Sequence, residues 1–295
     1  MQSIHTNNVR ARLSTVACIL LICTIVLYIW PPLLALLVGS IASIEYHHIT
    51  HSHHTIQTSV WNVVQYNIIC ISALNGEQYI TTSLLCIICS RIVYELIVVT
   101  KSTKQTYAEL CSILFGYIYV SYLFSHTVLL LQSVHKYNQY LTINTPIINQ
   151  QYEITTIIFV VLSTANGENG ALLIGSLFGK YSSRLATNIS PHKSMIGCIA
   201  QVMSSMITAV LYTYCTSINP VNYTVFDGII LGVILGIFGM IGDLFESYIK
   251  RCHNRKDSNT IITLPGIGGV LDRIDGLIFN FVITYHYYKY RQFIT

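Results

Sequence analysis

Apolar runs long enough to cross a membrane recur along this chain with mostly short polar stretches between them, and that pattern removes most folds from consideration. A helix needs roughly 20 apolar residues to span a hydrocarbon core about 30 Å thick, where only helices or closed barrels satisfy every backbone polar group. Such segments fall at residues 13–30, 33–44, 60–74, 79–99, 107–131, 154–177, 196–215, 225–241 and 276–290. Only 9% of the residues are charged, against about 25% in a soluble domain. The sequence therefore predicts an all-α, multi-pass helical integral membrane protein with about nine transmembrane segments. Residues 1–150 hold a hairpin plus three spans, and residues 151–295 hold the rest together with a charged loop at 243–275.

Charge sets the orientation. The net charge of +4 is small and the basic residues gather in short loops, which reads as the positive-inside rule and argues against nucleic acid as a partner. With Arg10 and Arg12 holding the N-terminus inside, loops 100–106, 178–195 and 243–275 all fall on the cytoplasmic side. The same parity puts the end of the ninth segment outside, whereas Lys289 and Arg291 argue for inside.

Several local patterns carry expectations of their own. Pro31-Pro32 predicts a tight turn between the first two segments, and Arg91 and Glu95 predict an ion pair one helical turn apart. Tyr117, Tyr119, Tyr122 and Phe124 form an aromatic stripe expected to serve packing. The nine cysteines lie mostly inside apolar runs and read as reduced, small hydrophobes. Cys86-x-x-Cys89 has no second pair to complete a metal site. His47, His48, His51, His53 and His54 lack a carboxylate or thiol beside them and are expected to be a dispensable interfacial cluster. The polar run at 163–170 is expected to break its helix and line a site, because irregular backbone at membrane depth needs a protein or water-filled surround. Gly228, Gly232 and Gly236 at four-residue steps predict a face for close helix packing.

The 33 residues from 243 to 275 hold ten of the chain's 12 acidic and 16 basic side chains. Ionisable groups beside membrane spans are costly enough to need a partner or a task. In a helix, Asp243, Ser247 and Lys250 share a face and Glu246 can pair with Lys250. Pro265-Gly266 and Gly268-Gly269 allow a sharp turn and close approach to a phosphate, and they lead into Asp272-Arg273-Ile274-Asp275. Two carboxylates three residues apart can share a cation, and Mg²⁺ is commonly held by one or two carboxylates with phosphate and water completing the shell.

The run Ser247-x-x-Lys250-Arg251, then Lys256-Asp257, then Pro-Gly-Ile-Gly-Gly-Val-Leu-Asp-Arg-Ile-Asp at 265–275 resembles the signature of the phosphatidate cytidylyltransferase, or CDP-diglyceride synthetase, family. A second region is also similar. It contains Glu168, then Gly170-Ala-Leu-Leu-Ile-Gly175 with Phe178-Gly179-Lys180, then Ser190-Pro191-x-Lys193-Ser194. The sequence departs from the family pattern at Ile267 (usually His), Glu168 (usually Asp) and Ile196 (usually Glu), and the gap from Asp257 to Pro265 is about two residues longer.

The resemblance implies a nucleotidyltransferase of phospholipid biosynthesis, joining CTP and phosphatidate to give CDP-diacylglycerol and pyrophosphate. It implies catalytic roles for Asp243, Lys250, Arg251, Asp257, Asp272, Arg273 and Asp275, with Asp243, Asp272 and Asp275 as ligands of Mg²⁺, with or without a second cation. It further implies substrate-binding roles for Ser247, Lys256, Gly266, Gly268, Gly269, Lys180, Lys193, Ser194 and Glu168. The expected setting is the bacterial inner membrane, among membrane lipids, with a homodimer as an allowed assembly. Three other readings stay open. A CDP-alcohol phosphotransferase-like enzyme also clusters Asp, but with Asp-x3-Asp spacing. An anion transporter would show flux without CTP turnover. An inactive relative of the synthase is suggested by Ile267, Ile196 and Glu168.

Overall fold

The computed structural model describes residues 23–50 apart from 24 and 28, and residues 56–98, 104–140, 146–215, 223–255 and 269–294. The elements there are α1 (Pro31–Thr50), α2 (Ile56–Ala73), α3 (Glu77–Val98), α4 (Lys104–Gly116), a π-helical turn (Tyr117–Tyr122), α5 (His126–Tyr140) and α6 (Pro146–Phe178). A 3₁₀ turn (Gly179–Tyr181) leads into an antiparallel hairpin of β1 (Arg184–Ala186) and β2 (Ser190–Ser194), followed by α7 (Met195–Cys215), α8 (Val225–Cys252) and α9 (Leu271–Ile294). The strand pair sits in the expected loop 178–195, so the all-α expectation holds apart from this one small hairpin among the described residues.

Six of the described helical runs are long and apolar enough to cross a membrane: Pro31–Thr50, Glu77–Ile97, Thr106–Lys136, Gln151–Tyr181, Met195–Cys215 and Val225–Cys252. The remaining three expected segments fare differently. Most of run 13–30 lies outside the described residues, Val60–Ala73 is a shorter apolar helix, and α9 carries Asp272, Arg273, Asp275, Lys289 and Arg291 along its length. A multi-pass helical membrane protein stands; a count of nine does not follow from these helices.

The chain forms two compact units, one of Met1–Ser125 with His253–Arg273 and one of His126–Cys252 with Ile274–Thr295. In the first, the short second arm expected at 33–44 continues to Thr50 as α1. Tyr66 is fully buried and its hydroxyl donates to the Ala35 carbonyl at 2.7 Å. That ring lies where a side chain at Gly39 would be, 1.9 Å from an added Cβ, so a glycine is required for α1 and α2 to approach this closely. Tyr46 reaches across to donate to the Ser112 carbonyl at 2.9 Å. Tyr117, Tyr119 and Phe124 are buried, as expected for a packing stripe, and Arg91 pairs with Glu95 as their spacing predicts.

In the second unit the expected break at 163–170 is absent, because α6 runs unbroken through it for 33 residues. The small and polar residues there serve helix packing instead. An added Cβ at Gly170 would meet Ser204 Oγ at 2.0 Å, and one at Gly167 would meet the Gln201 carbonyl at 3.2 Å, so α7 lies directly against this stretch. The predicted glycine face of α8 packs on the other side of α7: Gly232 faces Met206 Cα at 2.4 Å and Gly236 faces Val202 Cα at 2.7 Å from an added Cβ. Asn280 of α9, wholly buried, donates to Thr164 Oγ1 at 2.8 Å and the Leu235 carbonyl at 3.1 Å, joining α6, α8 and α9.

The far ends of α8 and α9 are also tied. Asp227, at the start of α8, accepts from the Thr224 backbone and hydroxyl at 2.7 Å each and from Tyr287 at 2.5 Å, and pairs with Arg291 at 3.0 Å. The two helices are therefore antiparallel, with Lys250 and Arg251 at the opposite end of α8, roughly 1.5 Å per residue away.

Candidate functional site

Close packing of α6, α8 and α9 brings three acidic residues into one region of the second unit. Gly242 lets α8 meet α9 backbone to backbone, since an added Cβ would stand 2.4 Å from the Asp275 carbonyl oxygen. Gly276 meets Gly239 in the same way, with Glu168 Oε1 3.2 Å from its would-be Cβ. Asp275 is buried, and one of its oxygens accepts from the Gly276 amide at 2.7 Å. Asp243, Glu168 and Lys193 are the charged groups whose fields act on its carboxyl. Asp275 thus feels two neighbouring carboxylates and the Lys193 ammonium, and repulsion among the carboxylates favours further positive charge in this place.

The hairpin supplies the ammonium. Lys193 on β2 reaches Asp243 Oδ2 with its Nζ at 2.7 Å. Ser194 ends the strand and its hydroxyl accepts the Gly197 amide at 3.3 Å, which caps α7 and fixes where the strand stops. Ser182 similarly accepts the Ile196 amide at 3.1 Å. Arg251, near the end of α8, donates to the Ile189 carbonyl in the hairpin turn at 3.4 Å. Lys180 is exposed at the head of the hairpin.

Glu246 and Lys250 pair at 2.5 Å as their spacing predicts. Asp243, Ser247 and Lys250 lie on one helix as their spacing predicts, and the two charges take different partners: Asp243 pairs with Lys193 and Lys250 with Glu246. Lys256, Asp257, Gly266 and Gly268 lie outside the described residues, while Gly269 is described and buried. Asp272 and Arg273 belong to the first unit, Arg273 exposed and Asp272 half-buried. Among the described residues no three His, Cys, Asp or Glu side chains form a group that could hold a metal ion by themselves.

In the first unit the sequence reading left one residue without a role. Glu45, completely buried near the end of α1, accepts the Val270 amide at 3.0 Å and the Leu271 amide at 2.7 Å, one with each oxygen. A carboxylate inside an apolar segment was the available signal. Of the histidine cluster, His47 is buried and His48 Nδ1 lies 2.9 Å from the Arg255 guanidinium, so these two are built into the fold. His51, His53 and His54 lie outside the described residues.

The sequence model of the cytidylyltransferase family matches residues 8–291. Among curated proteins, a phosphatidate cytidylyltransferase of Bacillus subtilis is 32% identical over 135 residues, covering 46% of this chain and 48% of its own length. One from Staphylococcus aureus is 40% identical over 112 residues, covering 38% and 40%. One from Thermotoga maritima is 35% identical over 136 residues, covering 45% and 48%. The chain therefore spans about half the length of the curated relatives it matches.

Proposed function

Because the chain belongs to the cytidylyltransferase family, we propose that it is a membrane enzyme transferring the cytidylyl group of CTP to phosphatidate, giving CDP-diacylglycerol and pyrophosphate. The observation that carries this reading is the meeting of Lys193 with Asp243 beside Asp275 and Glu168, which joins the two motif regions in one polar place among apolar helices. A lipid substrate accounts for a charged site on membrane helices, and a polyanionic nucleotide accounts for the basic residues around it.

A lipid phosphate oxygen attacks the α-phosphorus of CTP; that P–O bond forms as the bond to the β-phosphate bridging oxygen breaks, and pyrophosphate leaves. The attacking phosphate is already anionic near neutral pH, so no general base is required. The task of the protein is to bring two anions together and neutralise the charge that shifts between them. Lys193, held by Asp243, offers a fixed ammonium. Lys250, Arg251 and Arg273 add cationic charge, with Lys180 and Lys256 as further phosphate contacts. Ser194 acts by holding the hairpin that presents Lys193.

The donors present suit Mg²⁺. Asp243 and Asp275 are hard oxygen ligands in a locally acidic place, and their small number fits an ion whose remaining positions go to phosphate and water. Mg²⁺ bound there would offset phosphate charge and favour departure of pyrophosphate.

Purified protein given labelled CTP, phosphatidate and Mg²⁺ is expected to move label into chloroform-soluble lipid. No incorporation by well-folded protein overturns this reading, and anion flux in liposomes would favour a transporter instead. We further place the enzyme in the bacterial inner membrane with the end of α8 facing the cytoplasm. In a cysteine-free background, Cys introduced at Asn254 is expected to resist an impermeant thiol reagent in intact cells, while Cys at Asn219 is labelled. The opposite pattern refutes the orientation.

A further inference from the structure

We propose that Glu45 is a positioning residue that sets the N-terminal turn of α9, with Asp272 and Arg273 on it, for cytidylyl transfer. This rests on the function proposed above. The first amides of a helix have no partner within it, and the positive end of its dipole attracts an anion. Here the anion is part of the chain. Glu45 lies 225 residues before Val270 and 226 before Leu271, and its two oxygens take their amides at 3.0 and 2.7 Å. It does so while fully buried on α1, a helix locked to its neighbours by Tyr66 and Tyr46.

A two-point contact from a rigid element fixes direction as well as distance. Arg273 donates its amide to the Val270 carbonyl of the same turn at 3.0 Å. Asp272 is within the electrostatic reach of Glu45. The buried carboxylate therefore sets where this acid and the adjacent guanidinium begin, without touching substrate itself.

The test compares Glu45→Gln and Glu45→Asp with the intact protein. Glu45→Gln keeps the volume but presents an amide NH₂ to one of the two N–H groups. Glu45→Asp keeps the charge but is one methylene shorter. Glu45→Gln is expected to lower kcat about 30- to 100-fold, with KM for CTP changed less than about threefold, because placement at the reacting centre affects the rate more than ground-state binding. Hydrogen exchange at the Val270 and Leu271 amides should rise by at least about tenfold as the cap is lost. Glu45→Asp should recover part of both.

Acting through the turn, Glu45→Gln combined with Asp272→Asn should be hardly slower than Asp272→Asn alone. An active, folded Glu45→Gln variant with wild-type kcat overturns the positioning role, as does multiplication of the two defects. If Glu45→Gln does not fold, Glu45→Asp decides, and wild-type kcat in that variant with faster amide exchange likewise overturns it. Wild-type protein that folds but transfers no cytidylyl group overturns the proposed function and the positioning role with it; unchanged amide exchange in Glu45→Gln refutes the cap alone.

Discussion

Replacing Asp275 by Asn is expected to cut Mg²⁺-dependent CDP-diacylglycerol formation about 10³-fold, in line with the loss of one preorganised charged group from a reacting site. The substitution preserves volume and removes a carboxyl whose charged form is disfavoured first by burial and then by repulsion from Asp243 and Glu168. Stability should therefore hold or rise slightly while turnover collapses, since relief of that repulsion helps the fold and harms the proposed ion site. This divergence separates a functional carboxylate from a structural one, whose removal would lower both together. Asp243→Asn is expected to be nearly as slow and less stable, because it leaves the Lys193 ammonium without its 2.7 Å partner. If the two acids serve one ion, the double Asn variant will be hardly worse than either single variant, whereas independent roles would multiply. Turnover and thermal unfolding in detergent at matched expression check these outcomes. Near-normal activity in Asp275→Asn sinks the assignment.

Gly242→Ala should have the largest effect of any single-methyl change on the site. Its added Cβ would lie 2.4 Å from the Asp275 carbonyl oxygen, 2.8 Å from the Asp275 carbonyl carbon and 2.8 Å from Gly276 Cα. All three are backbone atoms, so no side chain can swing away and α8 must move from α9. Overpacking of this kind costs about 1–3 kcal/mol. The same movement shifts Asp243 relative to Asp275, and misplacement by about 1 Å can cost about 10²-fold in rate. Gly175→Ala is the control for stability, because its Cβ would meet nothing nearer than Ser194 Oγ at 3.7 Å. Equal unfolding temperatures for the two variants would show that the helices give way more easily than backbone contact implies.

What the amino-acid order determined by itself was whatever depends on neighbours a few residues apart. The lengths of the apolar runs dictated membrane helices, the Arg91–Glu95 and Glu246–Lys250 pairs followed from one helical turn, and the glycine spacing of α8 announced a close-packing face. The concentration of acids and bases at 243–275 marked this stretch as the candidate region before any contact was known. Tertiary structure decided what distant residues do to one another. The polar run at 163–170 looks like a helix break in isolation, yet α6 stays helical because Gly167 and Gly170 admit α7 and Thr164 meets Asn280. Lys193 finds Asp243 only because a hairpin, too short to give a reliable alternating pattern, folds over the end of α8. Glu45 has no partner close in sequence among the described residues, and its two oxygens meet the amides of Val270 and Leu271, 225 and 226 residues away. A buried charge requires a counterpart, but local sequence does not specify which distant residue provides it; the packing of the helices does.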